Sequence, residues 1–214
     1  MFSQSDIENI YTTKVKLPES YFKKYERSII SRTCEISRNY CIMDFKEWTK
    51  NIEIEHLACT SDDDPELKYI TYKKKTVLPY PPCDLHVLSE YYTDHFDFFL
   101  FSQTLEHLYN PFDAVKQIYT AVKVGGYVFT SVPTLNIPHN TPIHFNGFTP
   151  MGLAMLFKTA GFEIVEIGQW GNYDYIEKLW KTHAWPTYND LEKDGVVLNE
   201  ERNVCQCWIL ARKV

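Results

Sequence analysis

A chain of 214 residues with 44% hydrophobic, 23% charged and 15% aromatic residues carries enough apolar material for one packed domain, which excludes a disordered or fibrous chain. Its formal net charge of -6, with Lys and Arg scattered apart from Lys73–Lys75, gives no general attraction to phosphate backbones, so nucleic acid is not an expected partner. No apolar run reaches the roughly 18 residues of a membrane span and no leader pattern opens the chain, so a soluble, cytoplasmic protein without membrane contact is expected.

Residues 1–28 are polar and aromatic and are expected to form an N-terminal cap with a helix around Glu19–Ser28, leaving residues 29–214 as the main domain. The β-compatible run from Ser28 leads into a helical pattern with Ile42, Phe45 and Trp48 at helical spacing. Ile52–Cys59 alternates as a strand should, and Thr60–Pro65, reading TSDDDP, stops it with turn residues. Tyr69–Val77 is a further expected strand, with Lys73–Lys75 at a solvated edge; the proline-rich Leu78–Cys83 must then be irregular.

Phe96–Phe101 is nearly all apolar, as suits a central parallel strand covered on both faces. Asn110–Val122 has Pro111 at a first helical turn and an apolar stripe of Ala114, Val115, Ile118, Ala121 and Val122. Gly125 and Gly126 are expected to end that helix before a strand over Tyr127–Val132. Thr149 caps a helix over Pro150–Ala160 that Gly161 stops. A strand follows over Phe162–Trp170, and residues 205–214 are expected to pair antiparallel with it. Alternating strands and helices closed by an antiparallel C-terminal hairpin predict a doubly wound, Rossmann-like, mostly parallel α/β sheet. Of the cysteines Cys34, Cys41, Cys59, Cys83, Cys205 and Cys207, only the last two are close, spaced as CxC in an expected strand and read as a poor pair for a disulfide or a shared metal. Reduced, mostly buried thiols are expected.

The pattern Phe96-Asp97, Leu105-Glu106-His107, Asn110-Pro111 and Gly125-Gly126, followed by Gly161-Phe162-Glu163, resembles the core of class I S-adenosylmethionine-dependent methyltransferases over roughly the last two thirds of the chain. The resemblance implies the methyltransferase sheet, S-adenosylmethionine as cofactor and methyl transfer as activity. The family's glycine-rich loop would align with Glu35–Cys41, where Glu35 keeps the acidic position and Ser37, Asn39 and Cys41 replace the glycines. Such glycines let backbone approach the cofactor closely. Two readings stay open: a modified pocket that still binds the cofactor, or a cofactor-free binding or scaffold relative.

On the first reading, Glu35, Ser37 and Asn39 line the cofactor, Ser61 and Asp62 meet its ribose, Asp84 and Leu85 its adenine, and Ser102 and Gln103 its methionine end. A carboxylate suits vicinal hydroxyls because it accepts from both. His107 and His144 are candidate bases for an acceptor hydroxyl, since imidazole titrates near neutrality; the other reading of His107 is a capping or packing residue at the start of the next helix. Glu106, His139 and Asn140 are candidate acceptor contacts. The polar loop and the C-terminal aromatics suit a small hydroxylated acceptor such as a sugar or glycan, although such aromatics also simply cover sheets. No metal is expected from Glu106, His107, His139 and His144, which lack HxH or HExxH spacing.

Overall fold

The computed structural model describes residues 3–15, 23–24, 35–139, 143–192, 197–200 and 202–214. Helix α1 (Gln4–Thr13) was not anticipated, yet its start is written in the chain: Ser3 and Asp6 form a reciprocal capping box. It rests on the later helix Pro150–Ala160, and Lys14 Nζ donates to Val165 O at 3.0 Å. Within the expected helix Glu19–Ser28, Lys23–Lys24 instead form the short strand β1, paired antiparallel with β7 (Leu198–Asn199). The rest of that segment, the β-run from Ser28, Cys34 and Asn140 lie outside the described residues.

After α1 and β1 come α2 (Ile36–Thr49), β2 (His56–Cys59), β3 (Lys74–Val77), β4 (Phe96–Leu100), α3 (Pro111–Ala121), β5 (Val122–Pro133) and α4 (Pro150–Ala160). β6 (Glu163–Gly171), α5 (Tyr173–Thr182), α6 (Tyr188–Leu191), β7 and β8 (Val204–Arg212) complete the chain. The main sheet has the order β3-β2-β4-β5-β8-β6. Its first four strands in that order are mutually parallel, and β8 enters antiparallel between β5 and β6. The C-terminal strand thus pairs not only with Glu163–Gly171, as expected, but also with β5.

The glycines behave otherwise than expected. α3 ends at Ala121 and the strand begins at once, because β-branched Val122 pairs with Phe96; Gly125 and Gly126 therefore lie inside β5. Gly125 takes φ 84° and its N–H donates to Lys213 O. α4 starts and stops as expected: Thr149 accepts from Gly152 N, and Gly161 closes it at φ 109°.

Each sheet face has its own apolar layer. Phe96, Phe99 and Phe101 pack with α3 and α4 on one side, while Phe98 and Leu100 meet α2 and α5 on the other. The β4–β5 register shifts between Phe96 and Phe98, and there Phe96 packs in the first layer and Phe98 in the second. Each such buried Phe contributes about 1.5–3 kcal/mol. Cys207 belongs to the first layer and Cys205 to the second, and burial raises both thiols to about 12. Lys74 and Lys75 sit on edge strand β3, where Lys75 pairs with Asp62, and Lys73 just before it pairs with Glu55. Among the described residues no helix is long and apolar enough to cross a membrane.

Candidate functional site

The carboxyl ends of β2, β3 and β4 open into one cavity of about 460 Å³. Ligands of open α/β sheets bind at this edge, and the volume falls within the range of small-molecule sites. Thr60, Ser61 and Asp64 reach it from the loop after β2, Leu78 and Tyr80 from the loop after β3, and Ser102, Gln103 and Thr104 from the loop after β4. Cys83, Asp84, Leu85 and His86 close one wall; His107, Leu108, Tyr109, Ile143 and Phe145 close the other.

Local chemistry explains these positions. Asp84 caps the 3-10 turn Leu85–Glu90 by accepting from His86 N, and its Oδ1 lies 2.7 Å from His86 Nδ1. The backbone bond to His86 holds the Asp84 carboxyl below the usual carboxylate range. The His86 ring stacks on Tyr109 with centroids 4.2 Å apart, joining the two walls. Gln103 takes φ 50°, uncommon for a non-glycine residue, and its N–H donates to Ser131 O at 2.7 Å, turning the chain out of β4 at the cavity lip.

Behind the loop after β2 lies a buried charge cluster. The Arg38 guanidinium is 2.8 Å from Glu66 Oε2 and 3.4 Å from Asp64 Oδ1, and Ser102 Oγ donates to Glu66 Oε1 at 3.3 Å. Burial, reinforced by Glu66, pushes the Asp64 carboxyl up to about 7. Its second oxygen, Oδ2, is buried beside the cavity without a hydrogen-bond partner among the described residues.

Of the cofactor positions expected from the sequence, Ser61, Asp84, Leu85, Ser102 and Gln103 line this cavity together. Asp62 does not; it faces outward toward Lys75, and Asp64 takes the inward position. Glu35, Ser37 and Asn39 also lie away from it. They form no loop: Glu35 caps α2 by accepting from Ser37 N and Arg38 N, so Ile36 onward is helix. The segment is drawn toward the C-terminal part of the chain, since Ile36 N donates to Pro186 O, Tyr175 OH to Glu35, and Ser37 Oγ to Gln206. The loop next to β4 is therefore Thr60–Asp64. Asp64 was missed because TSDDDP offers three equivalent carboxylates. The usable signal was Pro65, which starts the 3-10 turn Pro65–Tyr69 and restricts the residue before it.

The histidines gather at the other wall. Backbone N–H groups of Phe145 and Asn146 donate to Glu106 O, at 2.7 and 3.2 Å, pinning the 143–146 loop over the 3-10 turn Leu105–His107. The His107 ring lies 5.0 Å from that of His139 and 6.3 Å from that of His144, with 4.8 Å between the latter two. His107 faces the cavity, whereas His144, Glu106 and His139 stand behind that wall.

A family model described as a methyltransferase domain matches residues 35–167. No curated protein matches the chain. Among solved structures, 1,6-didemethyltoxoflavin-N1-methyltransferase of Burkholderia thailandensis, crystallised with its substrate and S-adenosylhomocysteine, is 13% identical over 90% of this chain and 95% of its own, with TM-score 0.55. A putative methyltransferase of Bacillus halodurans is 13% identical over 80% and 98%, with TM-score 0.51. The [4+2]-cyclase SpnF is 13% identical over 98% and 92%, with TM-score 0.52. Such distant likeness establishes a shared fold, and a cyclase in the set illustrates that the fold alone does not dictate the reaction.

Proposed function

The chain belongs to the methyltransferase-domain family, and on that premise we propose that it binds S-adenosylmethionine in the cavity over β2, β3 and β4 and methylates a hydroxyl oxygen of a small polar acceptor, a sugar or glycan. The observation that carries the cofactor assignment is Asp64 Oδ2, a buried acceptor atom without a donor among the described residues, at the loop beside β4. A buried carboxylate oxygen in that condition calls for a donor such as a ribose hydroxyl. Ser61 and Asp64 would hold the ribose; Leu78, Leu85 and Asp84 the adenine; and Ser102 and Gln103 the methionine end. The cofactor supplies an electrophilic methyl on a sulfonium.

The protein's part is positioning and proton handling. His107 Nδ1 lies 2.9 Å from the Ile143 carbonyl, which only accepts, so Nδ1 carries the proton and Nε2 keeps its lone pair. Burial, with His139 and His144 nearby, lowers the His107 pKa and favours the neutral base at pH 7. His107 is thus better placed than His144 to take an acceptor proton. Tyr80, Tyr109 and Phe145 line the cavity while remaining 68%, 69% and 50% exposed, and aromatic faces of this kind suit sugar C–H surfaces.

The glycine-less stretch Ser37–Cys41, which folds as the first turns of α2, favours the rival reading, a cofactor-free binding or scaffold relative. Calorimetric titration with S-adenosylhomocysteine decides: saturable binding, weakened by Ser102→Trp, supports the enzyme, and absence of heat and of thermal shift would support the scaffold. Labelled methyl transfer to a panel of sugars then tests the acceptor class.

A further inference from the structure

We propose that Glu106, His107 and His139 form a binding site for a divalent first-row transition ion, with His144 beside it. One ligand atom from each of the three lies within 4.8 Å of the others. A carboxylate and two imidazoles are a common donor set for Zn²⁺, Co²⁺ and Fe²⁺. An ion about 2.1 Å from each ligand needs them about 3.4 Å apart, so side-chain rotation of about an ångström completes the site.

The hydrogen bonds around the cluster prepare it for an ion. His107 Nδ1 faces Ile143 O at 2.9 Å, His139 Nδ1 faces Ile137 O at 3.1 Å, and His144 Nε2 faces Asn146 O at 2.9 Å. A carbonyl cannot donate, so each of those nitrogens carries the ring proton and the opposite nitrogen is left with a lone pair. This is the outer-shell arrangement by which proteins orient metal-binding imidazoles. Glu106 supplies the independent observation: it is 1% exposed, and among the described residues neither its Oε2 nor the buried His144 Nδ1 has a hydrogen-bond partner. Glu106 Oε1 is 4.0 Å from His107 Nε2, on the lone-pair side. Lone pairs from neighbouring rings and an unsatisfied carboxylate leave the cluster rich in acceptors and poor in donors. A cation resolves that imbalance. The sequence concealed the site because its ligands come from a 3-10 turn and a loop about thirty residues apart, with no local spacing to mark them.

His107 also lines the cavity, so an ion here would face the acceptor. That consequence rests on the methyl-transfer reading. With the ion in place, His107 would serve as a ligand, and an acceptor hydroxyl bound to the ion would be acidified by it and release its proton to water in the cavity. Ion binding itself does not depend on that reading.

The test is titration of chelator-treated full-length protein with Co²⁺, followed by visible ligand-field absorption, and with Zn²⁺ by calorimetry. About one ion per chain is expected, with affinity reduced about 10-fold or more in Glu106→Gln and in His139→Ala. His95→Asn, at the opposite end of β4, leaves binding unchanged. His139→Ala, a loop change, keeps the test readable if Glu106→Gln fails to fold by circular dichroism. Absence of a ligand-field band, or equal affinity in wild type and both variants, overturns the site. Binding of S-adenosylhomocysteine to the metal-free protein, measured separately, shows whether the methyl-transfer reading fails on its own.

Discussion

Replacing Arg38 by Met would remove the cation from the charge cluster behind the cavity while keeping much of its volume. Arg38 is 13% exposed in its side chain, Glu66 is fully buried, and the contacts are 2.8 Å to Glu66 and 3.4 Å to Asp64. Removing one partner of a buried pair typically costs about 3–5 kcal/mol, because the remaining charge has neither water nor a counter-ion. For a domain of this size, roughly 2–4 °C of Tm accompany each kcal/mol, so a fall of about 6–20 °C is expected at pH 8. The loss has a pH signature. Asp64 is already raised from 3.8 to about 7, so the folded state holds its proton more tightly than the unfolded state. Its contribution therefore favours folding at low pH and declines as pH rises through that window. Without Arg38 the decline steepens, and the difference from wild type shrinks toward pH 5, where the Asp64 carboxyl is neutral. Urea denaturation at a series of pH values measures this, and Arg38→Met/Glu66→Gln should recover at least half of the loss. A difference below about 1 kcal/mol at pH 8, or one independent of pH, would refute the reasoning.

The remaining predictions concern the cofactor pocket and the frame. Asp64→Asn should weaken S-adenosylhomocysteine binding about tenfold or more, as expected for losing hydrogen bonds to a charged acceptor. In wild type that affinity should rise as pH passes through about 7, where Asp64 loses its proton, and in the variant calorimetry should find it flat. Gly168→Ala would place a Cβ 2.1 Å from Nε1 of fully buried Trp208, so overpacking of about 1–3 kcal/mol or more should appear as a lower melting temperature. Asn110→Ala removes the side chain that accepts from Asp113 N at the start of α3 and should cost about 1 kcal/mol by urea denaturation.

The elements legible in the chain were those whose signals are local. Phe96–Leu100 announced itself by a nearly all-apolar run, and α3 and α4 by Asn110-Pro111 and Thr149-Pro150 at their starts. Even α1 carried its capping box at Ser3 and Asp6, although it was not read as a helix. Ser61, Asp84, Leu85, Ser102 and Gln103 were singled out by the family resemblance, and they line one cavity at the carboxyl edge of the sheet.

Tertiary structure alone decided the rest. Whether Asp62 or Asp64 faces inward depends on the turn that Pro65 begins and on Arg38, 26 residues away, waiting to pair with it. Glu35–Cys41 became the start of a helix beside Tyr175 and Gln206 because partners more than a hundred residues distant satisfy its polar groups. The histidines converge because Glu106 O holds the 143–146 loop. Periodicity and caps record interactions within a few residues, so the chain by itself determined the main-sheet strands, helices α2, α3 and α4 and the edge where a ligand would sit. Which side chains face that edge, and with what charge, is set by contacts between distant segments, which exist only once the chain has folded.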